Sequence, residues 1–108
     1  MKKLVIAEPA ARDLEEIVDY IALDNPVAAE GVYRGIVAVA SKLPQFPALG
    51  RPGRHPDTRE LSVSGLPYLI VYEVSAEMVT IVAVFHTARD LVRALRERMQ
   101  GDQAATHG

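Results

Sequence analysis

At 108 residues, 49% hydrophobic and 24% charged, the chain has the length of one domain and the balance of a globular rather than a disordered protein. It has no cysteine, which excludes disulfides, zinc–thiolate sites and thiol chemistry and is compatible with a reducing compartment. The net charge of −2 lacks the basic excess of a dedicated nucleic-acid binder, but it is unevenly spread. Residues 1–50 hold five Lys/Arg against seven Asp/Glu, while residues 51–98 hold seven arginines against six acids, with His55 and His86 besides. Arginine offers a planar fork of donors suited to phosphate or carboxylate; the plainer reading of such residues is solvated surface charge.

Lys3–Ala7, β-branched in its middle, reads as a strand. Glu8-Pro9 cuts this apolar run too short for a signal-peptide core and opens a helix at a position where proline's missing N–H costs nothing. Leu14, Ile17, Val18 and Ile21 give that helix one apolar face; Arg12, Asp13, Glu15, Glu16 and Asp19 fall largely on the other. Asn25-Pro26 then supplies a cap and a first-turn proline for a second helix running to about Leu43. The short linker makes the pair an antiparallel αα-hairpin. Gly31 and Gly35 each cost this helix about 1 kcal/mol relative to alanine, and close approach of the first helix is the expected reason.

Residues 44–58 hold four of the seven prolines and two of the seven glycines and form a loop, long for the domain, that carries Arg51, Arg54 and His55. Three strands follow: 59–63, 67–74 and 78–86, separated by turns so short that the strands must form an antiparallel meander. The last two are apolar on both faces, with Leu69 and Val71 alternating against Tyr68, Ile70 and Tyr72, and Val82 and Val84 against Ile81, Ala83 and Phe85. The hairpin can cover one face only; the other needs the C-terminal helix, a partner, or both. That helix starts near 87–90, carries Leu91, Val92, Leu95 and Met99 among Arg89, Arg93, Arg96 and Arg98, and is expected to be short, ending at Gly101. The expected organisation is one α+β domain over residues 1–100 and a flexible tail over 101–108. No apolar stretch approaches the roughly 20 residues needed to span a bilayer, so a soluble cytoplasmic protein is expected.

Three scattered histidines, His55, His86 and His107, lack the spacing of a metal site, and no cofactor is expected. Gly50–Arg54 lacks the strand–helix context and lysine of a phosphate loop, and no serine stands in a nucleophile elbow. His86 ends an apolar strand before an arginine-bearing turn; it is either a proton-transfer group or a hydrogen-bonded histidine closing the core. Arg59 and Arg89 could converge on one end of the sheet and, with Arg51 and Arg54, form an anion patch; separate surface arginines are the alternative.

The order of these elements, with Pro47-Ala48-Leu49-Gly50-Arg51-Pro52, Arg59-Glu60-Leu61, Tyr68–Val74 and the strand ending His86-Thr87-Ala88-Arg89-Asp90, resembles the ParE/RelE toxin superfamily of type II toxin–antitoxin systems over about residues 3–98. The resemblance implies a fold of N-terminal strand, αα-hairpin packed on an antiparallel sheet with a three-stranded meander, and short C-terminal helix. RelE-like members are ribosome-dependent mRNA endoribonucleases; ParE-like members poison DNA gyrase without catalytic chemistry of their own known, and the family is tied to plasmid stabilisation. If the chain were RelE-like, its site would draw on Arg51, Arg54, Arg59, His86 and Arg89. It departs from that pattern at Leu69, where RelE-like chains often carry arginine, and lacks the second basic residue near Thr87 and the tyrosine near Arg93. Its His-x-x-Arg-Asp ending resembles ParE-like chains instead. The resemblance therefore implies a gyrase inhibitor rather than a firm catalytic site. It would contact its target through Arg89, Arg93, Arg96 and Arg98, and would assemble with a small ParD/RelB-like antitoxin over Leu69, Val71, Val82, Val84, Leu91 and Leu95.

Overall fold

The computed structural model describes residues 1–107, with side chains through Gly101. Strand β1 (Lys3–Ile6) leads into helices α1 (Glu8–Ala22) and α2 (Pro26–Ala40). Strands β2 (Arg51–Pro52), β3 (Arg59–Ser62), β4 (Tyr68–Val74) and β5 (Met78–His86) follow, and α3 (Leu91–His107) closes the chain. The sheet runs β1-β5-β4-β3-β2. The expected meander is its centre, β3-β4-β5, all antiparallel. The sheet as a whole is mixed rather than antiparallel, because β1 lies parallel to β5, pairing Lys3 with Met78 through Ile6 with Ile81. No tight turn joins these two strands, so nothing local dictates their sense. The loop contributes the two-residue edge strand β2, whose proline is tolerated because an edge position need not donate to a ladder.

Two apolar layers sandwich the sheet. Ala10 of α1 and Ile36 and Ala40 of α2 pack on Tyr68, Ile70, Tyr72, Val79, Ile81 and Val84. On the opposite face Ala94 and Leu95 of α3 pack on Leu69, Val71, Val82, Ala83 and Phe85. The doubly apolar strands are thus satisfied within the chain, and α3 rather than an open groove covers the second face. A β-bulge disturbs the alternation: Val71 stands opposite Ala83 but Tyr72 opposite Ile81, leaving Val82 unpaired with β4. Val82 and Ala83 therefore both turn toward α3, and Val84 turns to the hairpin side, not the face it was expected to share with Val82.

Asn25 caps α2 as expected, its Oδ1 accepting from the Ala28 N–H at 3.0 Å. The two helical glycines behave differently from expectation. A Cβ on Gly35 would stand 3.0 Å from Leu66 Cδ1, so the close neighbour is the β3–β4 turn and not α1. A Cβ on Gly31 would meet nothing within 4 Å. Helix α3 continues past Gly101, where the sequence places its end: that glycine does not take the positive φ of a terminating residue. Of the tail expected at 101–108, the side chains of residues 102–108 lie outside the described residues. Among the described residues no helix is long and apolar enough to cross a membrane.

Candidate functional site

The loop's geometry begins at Tyr72. Its hydroxyl donates to Pro47 O and accepts from the Gly50 N–H, both at 2.8 Å. Arg59 donates to Gly50 O at 2.6 Å. A Cβ on Gly50 would come within 2.7 Å of Glu60 O and 2.8 Å of the Tyr72 hydroxyl, so only glycine fits. The Pro47–Pro52 stretch is thus a structural clamp between loop and sheet.

Glu60 lies beside it with a fully buried side chain. Its carboxylate accepts from the Arg54 backbone N–H at 2.8 Å and from Arg54 Nη1 at 2.9 Å, and Arg51 stands 3.5 Å away. A carboxylate out of water needs hydrogen-bonding and charged partners to offset its burial, and here two loop arginines supply them. Arg51, Arg54 and Arg59 therefore have local occupations in holding the loop.

They do not meet His86. β3 and β5 each run antiparallel to β4, so the start of β3 and the end of β5 lie at opposite ends of the sheet. Arg59 faces Tyr72 and His86 faces Tyr68, four residues apart along β4, which separates their rows by roughly 13 Å. The expected convergence of Arg59 and Arg89 on one end of the sheet fails for this topological reason. His86 itself packs edge-on against Tyr68, ring centroids 5.3 Å apart, and its Nδ1 accepts from the Ala88 N–H at 3.0 Å. It closes the β5–α3 turn, its carbonyl accepting from the Arg89 backbone N–H at 3.1 Å, and among the described residues its ring has neither a carboxylate nor a guanidinium as hydrogen-bond partner. The histidine that does lie among arginines is His55, which the sequence sets beside Arg54 in the loop without showing the approach of α3: with Arg54, Arg96, Val92 and Leu95 it lines a shallow cleft of about 200 Å³.

The four arginines proposed for target contact have unequal freedom. Arg98 is mostly buried and makes a bidentate pair with Asp13 at 2.7 and 2.8 Å while donating to Val82 O at 2.8 Å. Asp13 Oδ2 also accepts from the Val84 N–H at 2.9 Å. Beyond Ile81, where β1 stops pairing, these two side chains satisfy the edge of β5 across the bulge. Both residues thus depart from expectation, Asp13 from the solvated side of α1 and Arg98 from the exposed side of α3. Arg89 lies over the Phe85 ring at 4.8 Å and Arg93 pairs with Glu97 at 3.2 Å, whereas Arg96 has no ion-pair partner among the described residues. Of the residues proposed for antitoxin contact, Leu69, Val71, Val82, Val84 and Leu95 are buried within the chain and Leu91 is half-buried.

A small α+β domain with a helical hairpin on one face of a five-stranded sheet and a terminal helix on the other is the architecture of ParE/RelE-like toxins of type II toxin–antitoxin systems. Residues 4–91 match the model of the ParE toxin of the type II toxin–antitoxin system parDE. The chain is 44% identical over 77 residues to Y4kP of Sinorhizobium fredii (strain NBRC 101917 / NGR234), a toxin by inference, covering 71% of this chain and 79% of that one. It is 36% identical over 89 residues to toxin RelE2 of Caulobacter vibrioides (strain ATCC 19089 / CIP 103742 / CB 15), covering 82% of this chain and 99% of that one. A solved structure of the chromosomal ParDE system from P. aeruginosa superposes with a TM-score of 0.74 at 26% identity, over 80% of this chain and 96% of that one. The chain belongs to the ParE toxin family of type II toxin–antitoxin systems.

Proposed function

We propose that this toxin acts by binding DNA gyrase and blocking supercoiling, in the cytoplasm, and that a small antitoxin neutralises it in a hetero-oligomer. The observation that carries the reading is the dispersal of the cationic groups a metal-free ribonuclease would need. Cleaving a phosphodiester this way requires a proton acceptor, a proton donor and positive charge on the pentavalent phosphate, all around one point. Here Arg51 and Arg54 are engaged by Glu60, Arg59 holds Gly50, and His86 stands at the far end of the sheet. Leu69, where RelE-like chains often place arginine, is buried beneath α3.

An antitoxin that used Leu69, Val71, Val82 and Leu95 would have to compete with α3 for them. The ParDE neighbour, a toxin–antitoxin system, supports such a partner. The likeness to the Caulobacter toxin RelE2, together with the cleft that joins His55, Arg54 and Arg96, favours the second reading, a ribosome-dependent mRNA endoribonuclease.

Expression without antitoxin separates the two. The gyrase reading expects filamentation, DNA-damage signalling and loss of supercoiling by purified gyrase, with intact transcripts. Rapid, codon-positioned transcript cleavage with supercoiling untouched would overturn it.

A further inference from the structure

The tip of the helical hairpin carries apolar surface that the fold does not use. Tyr20, Leu23 and Val27 are 78%, 82% and 80% exposed, more than any other large apolar side chain in the described residues except Met1. All three bracket the α1–α2 turn. The hairpin packs on the core through one face, which runs from Ala10 to Ile21 on α1 and from Val32 to Ala40 on α2, and Tyr20, Leu23 and Val27 lie outside that face. Between Leu23 and Gly31 only Ala29 is buried. Gly31 lies on this exposed stretch, one helical turn after Val27, with open space where its side chain would be. A helical glycine weakens its helix, and nothing within the fold approaches closely enough to require this one. An incoming surface that needs a close approach would.

The tip is also acidic. From Asp13 to Tyr33 there are six carboxylates and no Lys, Arg or His. Asp13 is held by Arg98 and Glu30 by Arg34. Glu15, Glu16, Asp19 and Asp24 are exposed and have no ion-pair partner among the described residues. Meanwhile one of the four arginines expected to meet the target, Arg98, is held within the chain by Asp13.

The geometry points to the hairpin tip, centred on Tyr20, Leu23 and Val27, as the surface that docks on the toxin's protein target, a patch with an apolar centre and a rim of Lys/Arg. Exposed apolar groups of this size gain most when desolvated at the middle of an interface, and the four unpaired carboxylates select a basic rim and accelerate encounter. The same charges repel nucleic-acid phosphates, so the tip is no RNA-binding surface. Proteins that handle DNA present basic surfaces, which is the chemistry the tip requires. The assignment rests on the reading of the chain as a toxin that acts by binding; it does not require that the target be gyrase.

Two variants test it: Tyr20→Ser/Leu23→Ser/Val27→Ser, and Asp19→Lys/Asp24→Lys. All five positions are exposed, so both should keep the wild-type circular dichroism and still co-purify with the antitoxin. The triple variant should lose growth arrest on expression, and at least about tenfold more of it should be needed to inhibit purified gyrase, the factor expected for loss of a central contact. The charge reversal should weaken the effect and flatten its salt dependence. A photo-crosslinking residue at Leu23 should give a toxin–gyrase adduct that excess unlabelled toxin competes away. Wild-type growth arrest by the triple variant would overturn the assignment. So would loss of antitoxin binding with toxicity kept, which gives the tip to the antitoxin. A wild-type dimer that the triple variant dissolves without loss of toxicity would also overturn it and give the tip to a second copy. If wild type leaves gyrase untouched but the triple variant no longer arrests growth, the gyrase reading falls and the tip stands. If both proteins inhibit gyrase equally, the tip falls and the gyrase reading stands.

Discussion

Tyr72 ties loop and sheet through one oxygen atom, and the tie can be removed without changing shape. In Tyr72→Phe the Gly50 N–H and Pro47 carbonyl lose their common partner in a buried setting. Leaving a buried donor unsatisfied costs about 1–3 kcal/mol, so urea unfolding should show a stability lower by that amount, seen as a lower midpoint with unchanged slope. Gly50→Ala should cost at least as much. Its Cβ would meet Glu60 O, a backbone atom that cannot rotate away, at 2.7 Å. An unchanged midpoint in both variants would show that the loop is not held here. These residues also show how a motif can be legible while its purpose is not. The Pro-x-x-Gly-Arg-Pro wording marks the family, but its close approach to Tyr72 spans more than twenty residues of chain and is invisible to local pattern. Glu60 is similar: a charged residue in an exposed-looking strand start is the fully buried anchor of two arginines.

At the scale of elements, local periodicity and capping chemistry identify both hairpin helices and the meander, because those signals reside in neighbouring residues. The parallel partnership of β1 with β5, the bulge at Val82 and the Asp13–Arg98 pair do not reside there; each depends on segments distant in sequence. The bulge is what moved Val84 to the hairpin side, since a strict period of two puts it with Val82. The Asp13–Arg98 pair joins α3 to α1 and satisfies the edge of β5, so truncating either member strands the other. Arg98→Ala should lower stability by about 3 kcal/mol, read from denaturant midpoints, and should speed amide exchange in α3 more than in α2. A uniform change in exchange would mean that the pair does not specifically anchor α3. Gly31→Ala acts in the opposite sense. With open space at the Cβ and ordinary helical φ, it should raise stability by about 1 kcal/mol.

For the whole molecule the decisive feature is a sheet buried on both sides by its own chain. The doubly apolar strands were legible, and so was the need for a second cover; which cover was not, because a short arginine-rich helix looks like a surface element. Its inward stripe is narrow, with Ala94 and Leu95 buried and Leu91 half-buried, while Val92, Arg93, Arg96 and Glu97 face water. Removing it has a consequence that separates structural from partner-dependent burial. A chain ending at Asp90 would expose Leu69, Val71, Val82, Ala83 and Phe85 as one contiguous apolar face, a surface that drives association. This truncation should aggregate at low micromolar concentration and bind a hydrophobic dye, whereas the full chain should do neither. Co-expression with the antitoxin then decides whether the two compete. If the antitoxin takes the place of α3 on this face, it should restore the truncated chain to solution and should bind it more tightly than the full toxin, since no helix has to be displaced. If the truncated chain stays insoluble with antitoxin present, Leu69, Val71, Val82 and Leu95 belong to the toxin's own core, and the antitoxin must be sought on another surface.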